Sequence, residues 1–80
     1  MPIKPTLVCT TPYGAFRRGT WRVYTHVVVS VHPEGASEAL AWCGSRKLAE
    51  DQARYWQRKL SMARIEVFPV DPNEEWPHVG

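Results

Sequence analysis

From Trp21 to His32 the chain reads WRVYTHVVVSVH, with Trp21, Val23, Thr25, Val27, Val29 and Val31 on one parity and Arg22, Tyr24, His26, Val28, Ser30 and His32 on the other. Side chains alternate across an extended chain, so this spacing predicts a strand whose first set faces a core and whose second set faces outward. Pro33-Glu34-Gly35 is turn chemistry and predicts a hairpin loop after it. The next strand is expected over Glu38–Cys43, with either Leu40 and Trp42 or Ala39, Ala41 and Cys43 turned inward. The second set is favoured, because small residues let a helix lie close over a sheet. That choice puts Leu40 and Trp42 on the face of Tyr24. Upstream, Thr6–Thr11 (TLVCTT) is rich in β-branched residues and predicts a first strand, and the Pro and Gly residues of Pro12–Gly19 predict a loop.

After Cys43 the period changes. Leu48, Ala49, Gln52, Ala53, Trp56 and Leu60 recur at steps of three and four, the buried stripe of a helix, and Glu50, Arg54, Gln57, Arg58 and Lys59 fall on its wet side. Ser45 is placed to cap that helix, Glu50 and Asp51 lie in its early turns, and Glu50 and Arg54 form a favourable pair four residues apart. The helix is expected to end over Ser61–Ala63. Alternation returns in Arg64–Val70, with Ile65 and Val67 toward the helix and Glu66 and Phe68 on the far side; Pro69 marks an end or an edge.

The order strand, strand, strand, helix, strand predicts an α+β fold: two layers, a mostly antiparallel sheet with one helix on one face. Residues 1–70 form the single domain and 71–80 an acidic, irregular tail. The sheet face away from the helix is left open to solvent, to a partner, to the tail through Trp76, or to a second copy that would make a homodimer. Trp21 and Trp56 are assigned to the core, whereas Trp42 and Trp76 are not needed there.

At 80 residues the chain has room for one thin core and none for a deep, walled cofactor cleft. The net charge of +2 conceals an asymmetry: +5 over residues 1–70 and −3 over 71–80. A basic body suits contact with nucleic acid or with an acidic protein surface. Two cysteines, Cys9 and Cys43, make no disulfide framework, and no signal sequence or membrane-length apolar run is seen, so a cytoplasmic, reduced protein is expected.

Chemistry of a catalytic kind is sparse. His26 and His32 are six residues apart, about 20 Å along a strand, so they cannot share one metal ion. No metal-ligand spacing, phosphate-binding glycine loop or nucleophile motif occurs, and no cofactor, metal or enzymatic activity is expected. Cys43 beside a strand histidine, His26, is the one conceivable nucleophile and base. Two binding features remain. One is the sheet face bearing Arg22, Tyr24, His26 and Val28 together with Trp42, Leu40 and Phe68; the other is the Tyr13–Arg18 loop with Arg17 and Arg18. Aromatics interleaved with Arg suit a protein interface, and also a stacking platform for single-stranded nucleic acid. The candidate binding residues are therefore Arg17, Arg18, Arg22, Tyr24, His26, Trp42 and Phe68. A protein partner is expected first, nucleic acid second, and no membrane.

The Gly19-Thr20-Trp21-Arg22-Val23 opening, the Cys43-Gly44-Ser45-Arg46-Lys47-Leu48-Ala49 entry to the helix, and Tyr55-Trp56 late in it resemble the layout of some small phage-encoded anti-CRISPR proteins. The same layout is similar to the three strands and helix of phage integrase arm-type DNA-binding domains, from which the last strand and acidic tail depart. The resemblance spans Gly19–Lys59. It implies a non-enzymatic protein that occupies a surface of a CRISPR effector, often one meant for nucleic acid, and it carries over no particular functional residues.

Overall fold

The structure is a computed structural model that describes residues 4–71. The elements are β1 (Thr6–Thr11), β2 (Gly14–Gly19), β3 (His26–Val31), β4 (Ser37–Cys43), α1 (Arg46–Lys59) and β5 (Arg64–Pro69). The fold is α+β, with antiparallel pairing throughout and one helix among the described residues. β4, β3 and β5 form a three-stranded sheet in that spatial order, and β1 and β2 form a separate hairpin. The element missing from the sequence reading is β2. Its six residues, GAFRRG, are poor in strand formers and all exposed except the half-buried Phe16. Pairing with β1, rather than propensity, makes it a strand. The turn between them is Pro12-Tyr13, closed by Thr11, whose hydroxyl donates to the Gly14 carbonyl and accepts from the Tyr13 N–H. Gly14 takes φ +130°, where a Cβ would be strained.

The sheet is covered on both sides, which corrects the expectation of an open face. α1 lies on one face, where Val28, Cys43 and Ala49 are buried among Leu40, Ala41, Ala53, Trp56, Ile65 and Val67. The β1–β2 hairpin lies on the other, where Cys9, Val27, Val29 and Val31 are buried with Tyr13, Phe16, Ala39, Trp42, Phe68 and Val70 packed around them. Both parities of β3 are thus interior, and the face under the helix belongs to the even set. Val27, Val28 and Val29 are wholly excluded from water. Fully burying one such side chain is worth about 2 kcal/mol. A homodimer through that face has no surface to use where the hairpin lies.

β3 begins at His26, not Trp21. Thr25 still bonds both neighbours, its N–H to the Cys43 carbonyl (2.8 Å) and its carbonyl to the Val70 N–H (2.8 Å). Beyond it the flanking strands are finished: β4 gives way to Gly44 and the helix, and β5 ends at Pro69. Residues 21–24 therefore have no partner strand among the described residues, and Trp21 is exposed rather than in the core. In β4 a register shift between Val28 and Val29 changes parity, so Ala39 and Trp42 face the hairpin while Leu40, Ala41 and Cys43 face the helix. The small-residue choice is right for Ala41 and Cys43 and fails at Ala39, because a bulge shifts the alternation by one.

The helix begins as expected, with the Ser45 hydroxyl accepting from the Leu48 N–H at 3.2 Å. Its surface ion pairs are Arg46–Glu50 and Asp51–Arg54 in place of Glu50–Arg54. The hairpin is tied to β5 by polar contacts at its rim. The Tyr13 hydroxyl donates to Glu66 at 2.6 Å, with Arg64 3.5 Å from the same carboxylate, and Tyr13 meets the Phe68 ring edge-on at 6.2 Å. Asp71 accepts from the Thr10 N–H and hydroxyl, and its own N–H reaches the Val8 carbonyl. Asp71 thus belongs to the folded body; the rest of the acidic tail lies outside the described residues.

Two predictions follow from this packing. Ser30 is fully buried and its hydroxyl has no partner among the described residues. Ser30→Ala is expected to keep or raise the denaturant midpoint, whereas Val28→Ala, which empties the same core, should cost about 2 kcal/mol by urea unfolding. The Thr10 hydroxyl and N–H bonds hold the Asp71 carboxyl below its ordinary 3.8. A depressed folded value means the stabilisation is present above pH 3.8 and is lost as pH falls through the lower folded value. Asp71→Asn should therefore flatten the acid limb of a plot of melting temperature against pH below about pH 5.

Candidate functional site

Loop residues 20–25 are positioned by backbone anchors at both ends. The Thr20 N–H donates to the Pro5 carbonyl at 3.0 Å, its side-chain oxygen accepts from the Arg22 N–H at 3.0 Å, and Thr25 is fixed between β4 and β5 as described. The loop therefore crosses the end of the sheet where β4 stops and α1 starts. A groove of about 530 Å³ opens there, with Val23, Tyr24 and Arg22 on one wall, Ala41–Gly44 as its floor, and Leu48 and Gln52 of the helix on the other wall. Arg22 is the one charged residue lining it among the described residues. Val23 and Leu48 of its lining are each more than half exposed, at 59% and 55%.

The aromatic members are locked to one another. Tyr24 and Trp42 sit 6.3 Å apart at 59°, and the Arg18 guanidinium stands 5.4 Å over the Tyr24 ring. Arg18 reaches this position because β2 turns Phe16 and Arg18 to one side and Arg17 to the other.

Of the sequence candidates, Arg18, Arg22, Tyr24 and Trp42 are brought together. Arg17 points from the outer face of β2 and is exposed. Phe68 is packed under the hairpin against Tyr13. His26 has the parity of the helix face, and its Nδ1 lies 2.7 Å from the Thr25 hydroxyl. Sequence reasoning missed Val23, Leu48 and Gln52 as site residues. Leu48 and Gln52 share one stripe of α1 four residues apart, a signal that reads equally as core. Leu48 stays exposed because Ala49, Ala53 and Trp56 are the residues that meet the sheet.

His26 and Cys43 face each other across β3 and β4. Burial raises the Cys43 thiol above its usual value of 9.0, so it stays protonated near neutral pH. Cys9, whose Sγ–H donates to the Pro69 carbonyl, is pushed up to about 11 by burial and secondarily by the charge of Asp71. The two thiols are free and lie on opposite faces of the sheet. Among the described residues no three His, Cys, Asp or Glu side chains converge as metal ligands, and no helix is long and apolar enough to cross a membrane.

No protein-family model, curated protein or solved structure matches the chain.

The thiol environment is checkable with a disulfide reagent at pH 8. Both cysteines should react far more slowly in the native protein than in guanidinium, where two thiols per chain titrate at once. Immediate reaction of either in the native state would contradict the burial described.

Proposed function

We propose that this protein is a non-enzymatic binding module that holds a partner protein in the groove between loop residues 20–25, β4 and the start of α1. The observation that carries this reading is the meeting there of Trp42, Tyr24 and Arg22 with exposed Val23 and Leu48. Trp, Tyr and Arg concentrate binding energy at protein interfaces when apolar neighbours exclude water around them. The groove is already formed, so little ordering cost attends binding. Two protonated, buried thiols support a binding rather than a nucleophilic role, and they suit a reducing compartment such as the cytoplasm.

Nucleic acid is the second reading, favoured by one observation. Arg17, Arg18 and Arg22 cluster within one stretch, and none pairs with a carboxylate among the described residues. Against it, the Tyr24 ring is flanked by Arg18 and Trp42, which leaves less of it for a base to stack on.

The resemblance of Gly19–Val23 and Cys43–Ala49 to small phage-encoded anti-CRISPR proteins makes a CRISPR effector one partner to test. The basic body of this chain suits an acidic patch on such a partner better than the basic surface that holds nucleic acid.

Affinity capture from the native host, with variants as controls, tests the reading. Leu48→Lys changes an exposed position and should leave the circular dichroism spectrum intact. It is expected to weaken partner binding about tenfold or more, while Arg17→Ala, on the outer face of β2, changes it little. If oligonucleotides bind instead, with affinity falling steeply as salt rises and with Arg17→Ala weakening it, the nucleic-acid reading replaces this one.

A further inference from the structure

We propose that the outer edge of β4 from Ala41 to Cys43 is a strand-addition site that takes an extended, acidic segment of a partner protein. This rests on the groove being a protein-binding site and names what enters it. Strand edges invite pairing, and proteins guard them with charges, prolines, bulges or covering segments. The other edges here are guarded. β5 carries Arg64, Glu66 and Pro69, and β2 carries Arg17 and Arg18. The free side of β1 is covered by Asp71, which bonds Val8 and Thr10. The part of β4 through Leu40 has exposed Glu38 and the bulge at Leu40, the residue skipped between the Val29–Ala39 and Val28–Ala41 pairs. The last three residues of β4, Ala41-Trp42-Cys43, carry no charge, follow the bulge, pair among the described residues only with β3, and form the floor of the groove with Gly44.

A strand added there lies about 4.8 Å from β4 and sends alternate side chains to opposite faces. One set meets Leu48 and Gln52 of the helix and the other meets Tyr24 and Trp42, since the groove takes its walls from both faces of the sheet. Main-chain pairing supplies affinity and these alternate contacts supply selectivity. Arg22 stands in the groove with no carboxylate lining it among the described residues, so an Asp or Glu of the incoming segment completes it. A second copy of this chain fits less well, because a two-fold pairing along β4 would bring two Arg22 side chains to one interface. Nucleic acid has no peptide N–H and C=O ladder to offer the edge.

Three synthetic peptides test this on the full chain, by calorimetry and by amide chemical shifts: valine alternating with glutamate around a central tryptophan, the same with lysine for glutamate, and the acidic one with alternate backbone amides N-methylated. The acidic peptide is expected to bind and to shift the amides of Ala41–Gly44. The lysine and N-methylated peptides should bind about tenfold or more weakly, and Arg22→Glu should reverse the preference between glutamate and lysine. Equal binding of the N-methylated peptide overturns strand addition while leaving a protein-binding groove. Failure of all three peptides, with Leu48→Lys still abolishing partner capture, overturns it in the same way. If Leu48→Lys leaves capture unchanged, the groove reading itself fails. Concentration-dependent dimerisation that the acidic peptide does not displace, seen by light scattering, assigns the edge to a second copy. Displacement of the acidic peptide from Ala41–Gly44 by a thymidine oligonucleotide overturns the assignment to a protein segment.

Discussion

Val27, Val28 and Val29 are shut off from water on both faces of the central strand, and the positions of the other layers follow from that. A strand with apolar side chains on both parities cannot leave either face wet. α1 answers one face through Ala49, Ala53 and Trp56, and the β1–β2 hairpin answers the other through Cys9, Phe16 and Tyr13. The hairpin is two-stranded and would be marginal alone. It is held by its apolar contacts and by the Tyr13–Glu66 and Thr10–Asp71 bonds at its rim.

The groove is a consequence of how this sandwich ends. Thr25 is the last residue that both neighbouring strands can reach, so the chain before it leaves the sheet as a loop. At the same end, Gly44 and the Ser45 cap turn the chain from β4 into α1. Loop, strand end and helix start diverge, and the space between them is lined by what each leaves uncovered. The Arg18–Tyr24–Trp42 ladder stiffens one wall by tying the hairpin to the loop and the loop to β4. The chemistry in reach of this space is apolar and aromatic contact with one cation. The nearest thiol, Cys43, is held protonated by burial.

Legibility in the sequence tracked how local each signal was. The Thr6–Thr11 strand, the Ser45 cap, the Ala49–Ala53–Trp56 stripe and the division of Ile65 and Val67 from Glu66 and Phe68 each depend on residues close in the chain, and each is as read. β2 was illegible because GAFRRG has little strand preference, and only its pairing with β1 reveals it. Trp21 and Leu48 carry core-like signals in periodic patterns, and they are exposed because each pattern outruns the layer available to cover it. The three consecutive valines of β3 are the local sign of a second covering layer, set within a cleaner alternation on either side.

The sequence by itself determined an α+β domain with antiparallel strands, one capped helix ahead of the last strand, and a basic body bearing aromatic side chains. Those conclusions need only propensity, period and charge, which act over a few residues. The tertiary structure alone decided that the sheet has no open face, that a bulge splits β4 between two cores, and that Arg18, Arg22, Tyr24 and Trp42 converge while Arg17, His26 and Phe68 do not. Each of these turns on which distant segment covers which face, and that is settled by the burial of side chains far apart in the chain.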